Sequence, residues 1–341
     1  MAANLRSGTK CHPRALSWLQ RFWQLVAALV CGVFTLLGGL FIWGIAIESY
    51  LLTIETPVAV IPRLPRAWAG QRVAVMGDLQ IGRWMANTAT VSGAVEAVLA
   101  ERPALVLLLG DFIYYPGHTP DQEIAEVVAL LHPLPAAGLS VYADLGNHEY
   151  AATSLQAPKN EMLAARVRQA LEAIGIRVLI NEAVALPPPD PRHVPRIEPR
   201  PDAYLYLVGI GADAAGLAAP AKAVSQVPEG AAQLVIMHHP EVFTELPAGT
   251  APLALAGHSH GGQVRLPFLP LWSSWQFSYQ GRVQVSGWIE GYGQPGNYLY
   301  VNRGIGFSRL PIRLNASPEL TLVTLQPNCH QARPFSSSAR P

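Results

Sequence analysis

Short apolar runs alternate with longer segments of helical period along most of this chain. RVAVMGD (72–78), ALVLLLGD (104–111), LSVYADLGNHE (139–149), QLVIMHHP (233–240) and PLALAGHSH (252–260) read as strands. Between the first three, TATVSGAVEAVLAERP (88–103) and DQEIAEVVALLHPL (121–134) read as helices, the former with Pro103 beyond its end. Another helix spans 161–174 and closes at Gly175. IRVLINEAVAL and AYLYLVGIGA add further strands. Strands alternating with helices of this length predict an α/β fold with much parallel pairing.

The pattern changes at both ends and once in the middle. From Phe22 to Ile47 no residue is charged, which exceeds the ~20 apolar residues a bilayer core requires. Trp23 and Trp43 stand near its ends, where interfacial aromatics are expected. A cleaved signal peptide would have an apolar region of only about 7–15 residues ending in small side chains, so the run reads as an uncleaved anchor. Arg6, Lys10, Arg14 and Arg21 precede it, while Glu48 and Glu55 follow, which places the N-terminus in the cytoplasm and the large domain outside. The expected organisation is a basic segment at 1–21, a transmembrane helix at 22–47, a single large domain at 53–326 and a disordered tail at 327–341. The proline-rich 186–202 reads as an exposed loop within that domain, since proline offers no backbone donor.

Half of the residues are hydrophobic, 14% are charged and the formal net charge is +1, so there is material for a large core and no basic stripe for nucleic acid. Cys11, Cys31 and Cys329 lie far apart and outside every candidate site, which argues against a disulfide framework or a thiolate metal site.

Polar side chains collect where the apolar runs stop. Asp78 and Gln80, Asp111, then Asn147, His148 and Glu149, then His238 and His239, then His258 and His260 each follow the C-terminal end of a run. That edge of an α/β sheet is where ligands bind. Each piece alone is weak, because an aspartate after a strand is usually a turn or cap residue and a lone histidine is usually structural. Five coincident strand ends are another matter. Carboxylates, carboxamides and imidazoles without a thiolate suit Mn²⁺, Fe²⁺ or Zn²⁺. So many candidate ligands exceed what one ion needs and suit two ions sharing a bridging carboxylate.

The order GD…GD…GNHE…H…GHxH resembles the calcineurin-like metallophosphoesterase superfamily. GHSHGGQVRLP and YVNRGIGFSRLPIRLNASPELTLVTL (300–325) resemble its bacterial membrane-associated branch. The resemblance covers about residues 55–325. It implies a four-layer α/β/β/α sandwich with two mixed sheets, two divalent metal ions, and hydrolysis of a phosphomono- or phosphodiester. Carried over by position, Asp78 and His260 would hold the first ion and Asp111 would bridge both. Asn147, His258 and His238 would hold the second; His238 is chosen over His239 because the family ligand commonly lies two residues before a proline, here Pro240. His148 would act on the leaving group without binding metal. Glu149 would orient it, or serve only as a surface or capping carboxylate.

Gln80 departs from the family, which usually has histidine there. Either its carboxamide oxygen ligates the first ion, or that site is damaged. The alternative function is therefore a noncatalytic metal- or ligand-binding protein that keeps the fold. A metallo-β-lactamase-type site fits poorly, because HSHGGQ lacks the Asp-His that should complete it. The anchor keeps the domain near a bilayer, which fits a lipid- or envelope-linked phosphate ester and equally fits a tether that serves only localisation. FLPLWSSWQFSY (268–279), with Trp272, Trp275, Phe277 and Tyr279, reads first as packing and second as an apolar wall beside the site.

Overall fold

The computed structural model describes residues 18–82, 85, 87–114, 119–152, 158–189, 203–266, 269–273, 285–308 and 310–328. The chain divides into two compact units, Met1–Trp43 and Gly44–Pro341. The apolar run forms helix α1 (Trp18–Ala46), which is long and apolar enough to cross a membrane and begins a turn earlier than Phe22.

In the larger unit the strands are β1 (Thr53–Glu55), β2 (Val58–Ile61), β3 (Arg72–Met76), β4 (Leu105–Leu109), β5 (Val141–Asp144), β6 (Arg177–Val178), β7 (Glu182–Leu186) and β8 (Leu205–Gly209). They continue with β9 (Ala232–Met237), β10 (Ala254–Ala256), β11 (Arg265–Leu266), β12 (Leu269–Ser273), β13 (Gly287–Ile289), β14 (Leu299–Val301) and β15 (Glu319–Pro327). The helices are α2 (Thr88–Glu101), α3 (Pro120–Leu131), α4 (Pro133–Ala136), α5 (Glu161–Ala173) and α6 (Pro220–Val224).

Two mixed sheets carry the domain. One runs β1-β15-β3-β4-β5-β6, with β2 also on β15; the other runs β13-β14-β10-β9-β8-β7. Pairing is parallel from β3 to β6 and from β8 through β9 and β10 to β14, while β15–β3, β7–β8 and β13–β14 are antiparallel. Central strands are buried on both faces, which is why they read as unbroken apolar runs.

Alternate side chains of those strands feed different cores. Met76, Leu108 and Ala143 pack under α2, α3 and α5 through Val95, Val127 and Val167. Val75, Leu107 and Leu109 face Leu207, Ile236 and Leu255 between the sheets. Val235 and Met237 pack outward on Val224 of α6 and on Phe243. The result is the four-layer α/β/β/α sandwich.

Three boundaries differ from the pattern. The helix expected over 121–134 breaks into α3 and α4 at Pro133, which has no N–H for the helical ladder. IRVLINEAVAL divides between the sheets, with Asn181 in the left-handed region (φ 52°) at the crossing and its Oδ1 accepting the Gly211 and Ala219 N–H groups. The run 139–149 is strand only over Val141–Asp144, so its polar end is free to form a turn. Residues 190–202 and 329–341 lie outside the described residues, as do Trp275, Phe277 and Tyr279.

Candidate metal centre

The candidate ligands stand just past the C-terminal ends of β3, β4, β5, β9 and β10, at the edge where the two sheets meet. Parallel strands end there together, so five loops turn over one small volume. The turns are tight. Asp78, Gln80, Asp111, His258 and His260 all hold left-handed backbone, with φ between 49° and 68°. Non-glycine residues adopt that region rarely and at a cost, and such residues cluster at functional sites. Glycine appears where no side chain fits: a Cβ on Gly304 would lie 2.5 Å from the Cβ of Asp78.

Asp111 is the hub. His238 Nε2 lies 3.1 Å from Asp111 Oδ2, and Gln80 Nε2 donates to the same oxygen at 3.0 Å. The His148 N–H donates to Oδ1 at 2.9 Å, and His148 Nε2 stands 3.9 Å from Oδ2. His238 Nε2 also lies 3.1 Å from His258 Nδ1. Around Asp78, His260 Nε2 is 3.6 Å from Oδ1, and the His258 N–H points at both carboxylate oxygens at 3.0–3.1 Å. His238 Nδ1 donates to Leu109 O at 2.8 Å and His148 Nδ1 donates to Tyr114 O, which fixes both rings with Nε2 turned to the site.

The donor set fits divalent ions. The ligand atoms of Asp78, Asp111 and His238 fall within 4.8 Å of one another, as do those of His238, His239 and His258. Gln80 Oε1 and Asn147 Oδ1 are buried without a hydrogen-bond partner among the described residues. Gln80 and Asn147 each spend their N–H on protein, Asn147 on Ala152 O at 3.2 Å, and keep the oxygen unclaimed. A buried acceptor left so costs about 1–3 kcal/mol, and a cation would satisfy it.

Without a metal, protons take the place of positive charge in the cluster, and a bound ion would displace them. Burial opposes charge on His238, but the Asp111 carboxylate outweighs it and carries the imidazolium up to about 10. In return His238, against the burial penalty, holds Asp111 well below the usual carboxylate range. Burial, helped by repulsion from Asp111, pushes Asp78 up to about 7. Burial and then the Arg313 charge hold His260 down to about 3, and burial with the neighbouring imidazoles holds His258 well below its usual value. Both are thus neutral, with lone pairs available to a metal.

Three buried groups around the site have roles that the sequence pattern did not show. Glu149 neither orients His148 nor lies at the surface. Its Oε1 accepts the N–H groups of Phe112 (2.8 Å) and Ile113 (3.3 Å), and its Oε2 those of Asp111 (3.0 Å) and Gly146 (2.8 Å). It therefore clamps the Asp111 turn to the Asn147 turn. Arg313 is fully buried and donates to the carbonyls of Gly306, Ala316, Arg303, Gly304 and His260, bracing the His260 turn and the 303–306 loop, whose Ile305 and Gly306 N–H groups in turn donate to Gly77 O and Asp78 O. A single arginine in PIRLN gave no signal of this.

Asp144 did leave a signal, a carboxylate in the apolar run VYADL. It is fully buried, and neither oxygen has a partner among the described residues. Burial first, then the charges of Glu149, Asp78 and Asp111, drive its carboxyl well above the usual range. It stays protonated in the fold at pH values where the unfolded chain has lost the proton. Stability is then fully present below the unfolded value near 4 and falls as pH rises toward the folded one. Asp144→Asn is expected to raise the melting temperature of chelated protein at pH 8 and to flatten its decline with pH. Thermal denaturation from pH 5 to 9 measures this; an unchanged slope would reject it.

Comparison with known proteins follows the same lines. Residues 71–208 match the profile of the calcineurin-like phosphoesterases. The chain is 27% identical over 260 residues to phosphodiesterase YaeI of Escherichia coli, covering 74% of this chain and 82% of that one. It is 26% identical to the uncharacterized metallophosphoesterase YkuE of Bacillus subtilis, covering 89% and 95%. It is also 22% identical to the UDP-2,3-diacylglucosamine pyrophosphatase LpxG of Chlamydia trachomatis, covering 83% and 92%. Taken with the sandwich and the cluster of carboxylates and imidazoles at its edge, these matches make the chain similar to the calcineurin-like phosphoesterases, hydrolases of phosphoester bonds, over residues 71–208 for the profile and along most of its length for the relatives.

Proposed function

We propose that this hydrolase is a membrane-anchored phosphoesterase with a two-metal centre, acting on a lipid- or envelope-linked phosphate ester. The observation that carries the reading is the position of Asp111, whose Oδ2 meets both Gln80 and His238 while the Asp78–His260 pair stands beside it. Asp78, Gln80 and His260 would hold one ion, Asn147, His238 and His258 the other, and Asp111 would bridge them. Mn²⁺, Fe²⁺ and Zn²⁺ suit these donors. When bound, such a pair polarises the phosphoryl oxygens and acidifies the attacking water.

The chain's own residues supply the rest. Glu149 and Arg313 fix the turns, so the ligands need no rearrangement as charge develops. The His148 side chain keeps 19% of its surface exposed, against 4% or less for His238 and His260. Its Nε2 is therefore open to substrate and placed to protonate the departing alkoxide. Gln80 gives the first ion an oxygen where relatives usually offer nitrogen.

Helix α1 and the name of the LpxG relative, which acts on a diacylated sugar nucleotide, support the lipid-linked substrate class. Arg6, Lys10 and Arg14 before α1, with Arg21 in its first turn, support a cytoplasmic N-terminus and a catalytic domain on the other side.

The test uses full-length protein in detergent, stripped by chelation and assayed on bis(p-nitrophenyl) phosphate and a phosphomonoester. Turnover is expected only after Mn²⁺ or another divalent ion is restored. His148→Ala should lower kcat about 100- to 10,000-fold and leave Mn²⁺ affinity unchanged. A folded, metal-loaded protein with no turnover on either ester would reject the mechanism.

A further inference from the structure

Strand β9 ends in two adjacent imidazoles, and only the first is assigned above. By strand alternation His238 continues the inner row of Leu234 and Ile236, and His239 should follow Val235 and Met237 outward into the third core. Instead its ring packs against the site, with its centroid 4.3 Å from that of His258 and 4.8 Å from that of His238. It is 5% exposed, and neither Nδ1 nor Nε2 has a hydrogen-bond partner among the described residues. The neighbouring rings are all engaged: His238 with Leu109 O and His258, His148 with Tyr114 O, His260 with Gly306 O. A neutral imidazole offers one donor and one acceptor, and leaving both unmet inside a protein is costly.

We propose that His239 is a further ligand of the second ion, which makes the centre chemically asymmetric. The inference rests on the two-ion reading above. The ring nitrogens of His238, His239 and His258 already lie within 4.8 Å of one another. An ion held among them would take a nitrogen from each of the three rings. The second ion then has three imidazoles, the Asn147 oxygen and the bridge. The first has one imidazole, His260, among the oxygens of Asp78, Gln80 and Asp111. An imidazole-rich site favours Zn²⁺, Fe²⁺ or Co²⁺, and an oxygen-rich one Mn²⁺ or Mg²⁺. Gln80 and His239 thus work in one direction: the first takes nitrogen from one ion, and the second adds it to the other.

The experiment titrates chelated full-length protein in detergent with Co²⁺, following bound metal by equilibrium dialysis and the visible absorption of the complex. Wild type should take up one ion at least about tenfold more tightly than the next. His239→Gln should weaken the tight step by about 10- to 100-fold and change its absorption, leaving the weaker step alone. Identical affinities and spectra in the variant would overturn the proposal. Wild type binding fewer than two ions would instead reject the two-ion reading. A measurement free of any variant decides the same point: with ¹⁵N-histidine and ¹¹³Cd²⁺, metal–nitrogen coupling is expected on all of His238, His239, His258 and His260, and its absence from one of them overturns the assignment.

Discussion

Asp111→Ala is expected to lose both ions together and to cut metal-dependent hydrolysis about 1,000-fold or more. The residue is the shared support of the cluster. His238 and Gln80 meet on its Oδ2, and the His148 amide is held on its Oδ1. Without it the two groups of ligands have no common anion, and His238 loses the carboxylate that its Nε2 meets at 3.1 Å. Asp111→Asn is the sharper variant, because it keeps the shape and removes only the charge. It should retain at most one ion at concentrations that saturate wild type. Metal content per chain and the steady-state rate on bis(p-nitrophenyl) phosphate measure both effects. Two ions retained in Asp111→Ala, with a rate within tenfold of wild type, would refute the bridging role.

The second large effect is expected at a residue that binds no metal. Glu149→Ala leaves four buried N–H groups, on Asp111, Phe112, Ile113 and Gly146, without their acceptor. Each unmet buried donor costs about 1–3 kcal/mol, so a loss of about 4 kcal/mol or more is expected even if the turn relaxes partly. Glu149→Gln should cost less, because one oxygen remains, but its amide nitrogen then faces donors. Urea unfolding of chelated protein checks the order wild type, Gln, Ala. Metal affinity should fall in the same order, since Glu149 holds the backbone of Asp111 itself. Stability unchanged in both variants would show that the clamp is not needed.

The strand-end pattern made much of this legible, for a physical reason. Strands covered on both faces read as apolar runs, and the first polar residue after each run is the first one at the sheet edge. Asp78, Asp111, His238 and His258 stood out that way. The four-layer order needed the family resemblance, because periodicity cannot tell which strands share a sheet; the division of IRVLINEAVAL between two sheets had no mark in the sequence. Glu149 was visible as a residue and misread as to its work, since three of its four donors come from 36–38 positions away. Arg313 acts through carbonyls, which every residue carries, so no choice of residue type advertises its partners. Gln80 could be seen as a departure from the family but not interpreted until its two atoms were distinguished, the nitrogen on Asp111 and the oxygen unclaimed.

The segment just after the apolar helix has a bearing on proteolysis. Glu48 Oε1 accepts the Ala316 N–H at 2.8 Å, and the Ser49 hydroxyl donates to Gly44 O at 2.6 Å while accepting the Arg313 N–H at 3.0 Å. Arg313 in turn braces the 303–306 loop that packs on Asp78, and the His260 turn. A protease cutting between Ile47 and Tyr50 would therefore not shed a free enzyme. It would carry off part of the scaffold beneath the catalytic loops and leave a weakened domain. With α1 in a bilayer, an intact release would have to cut before Gly44, within the apolar helix, where water-borne proteases do not reach. If α1 spans a bilayer as proposed, release of the domain by a cut in this segment would also weaken it.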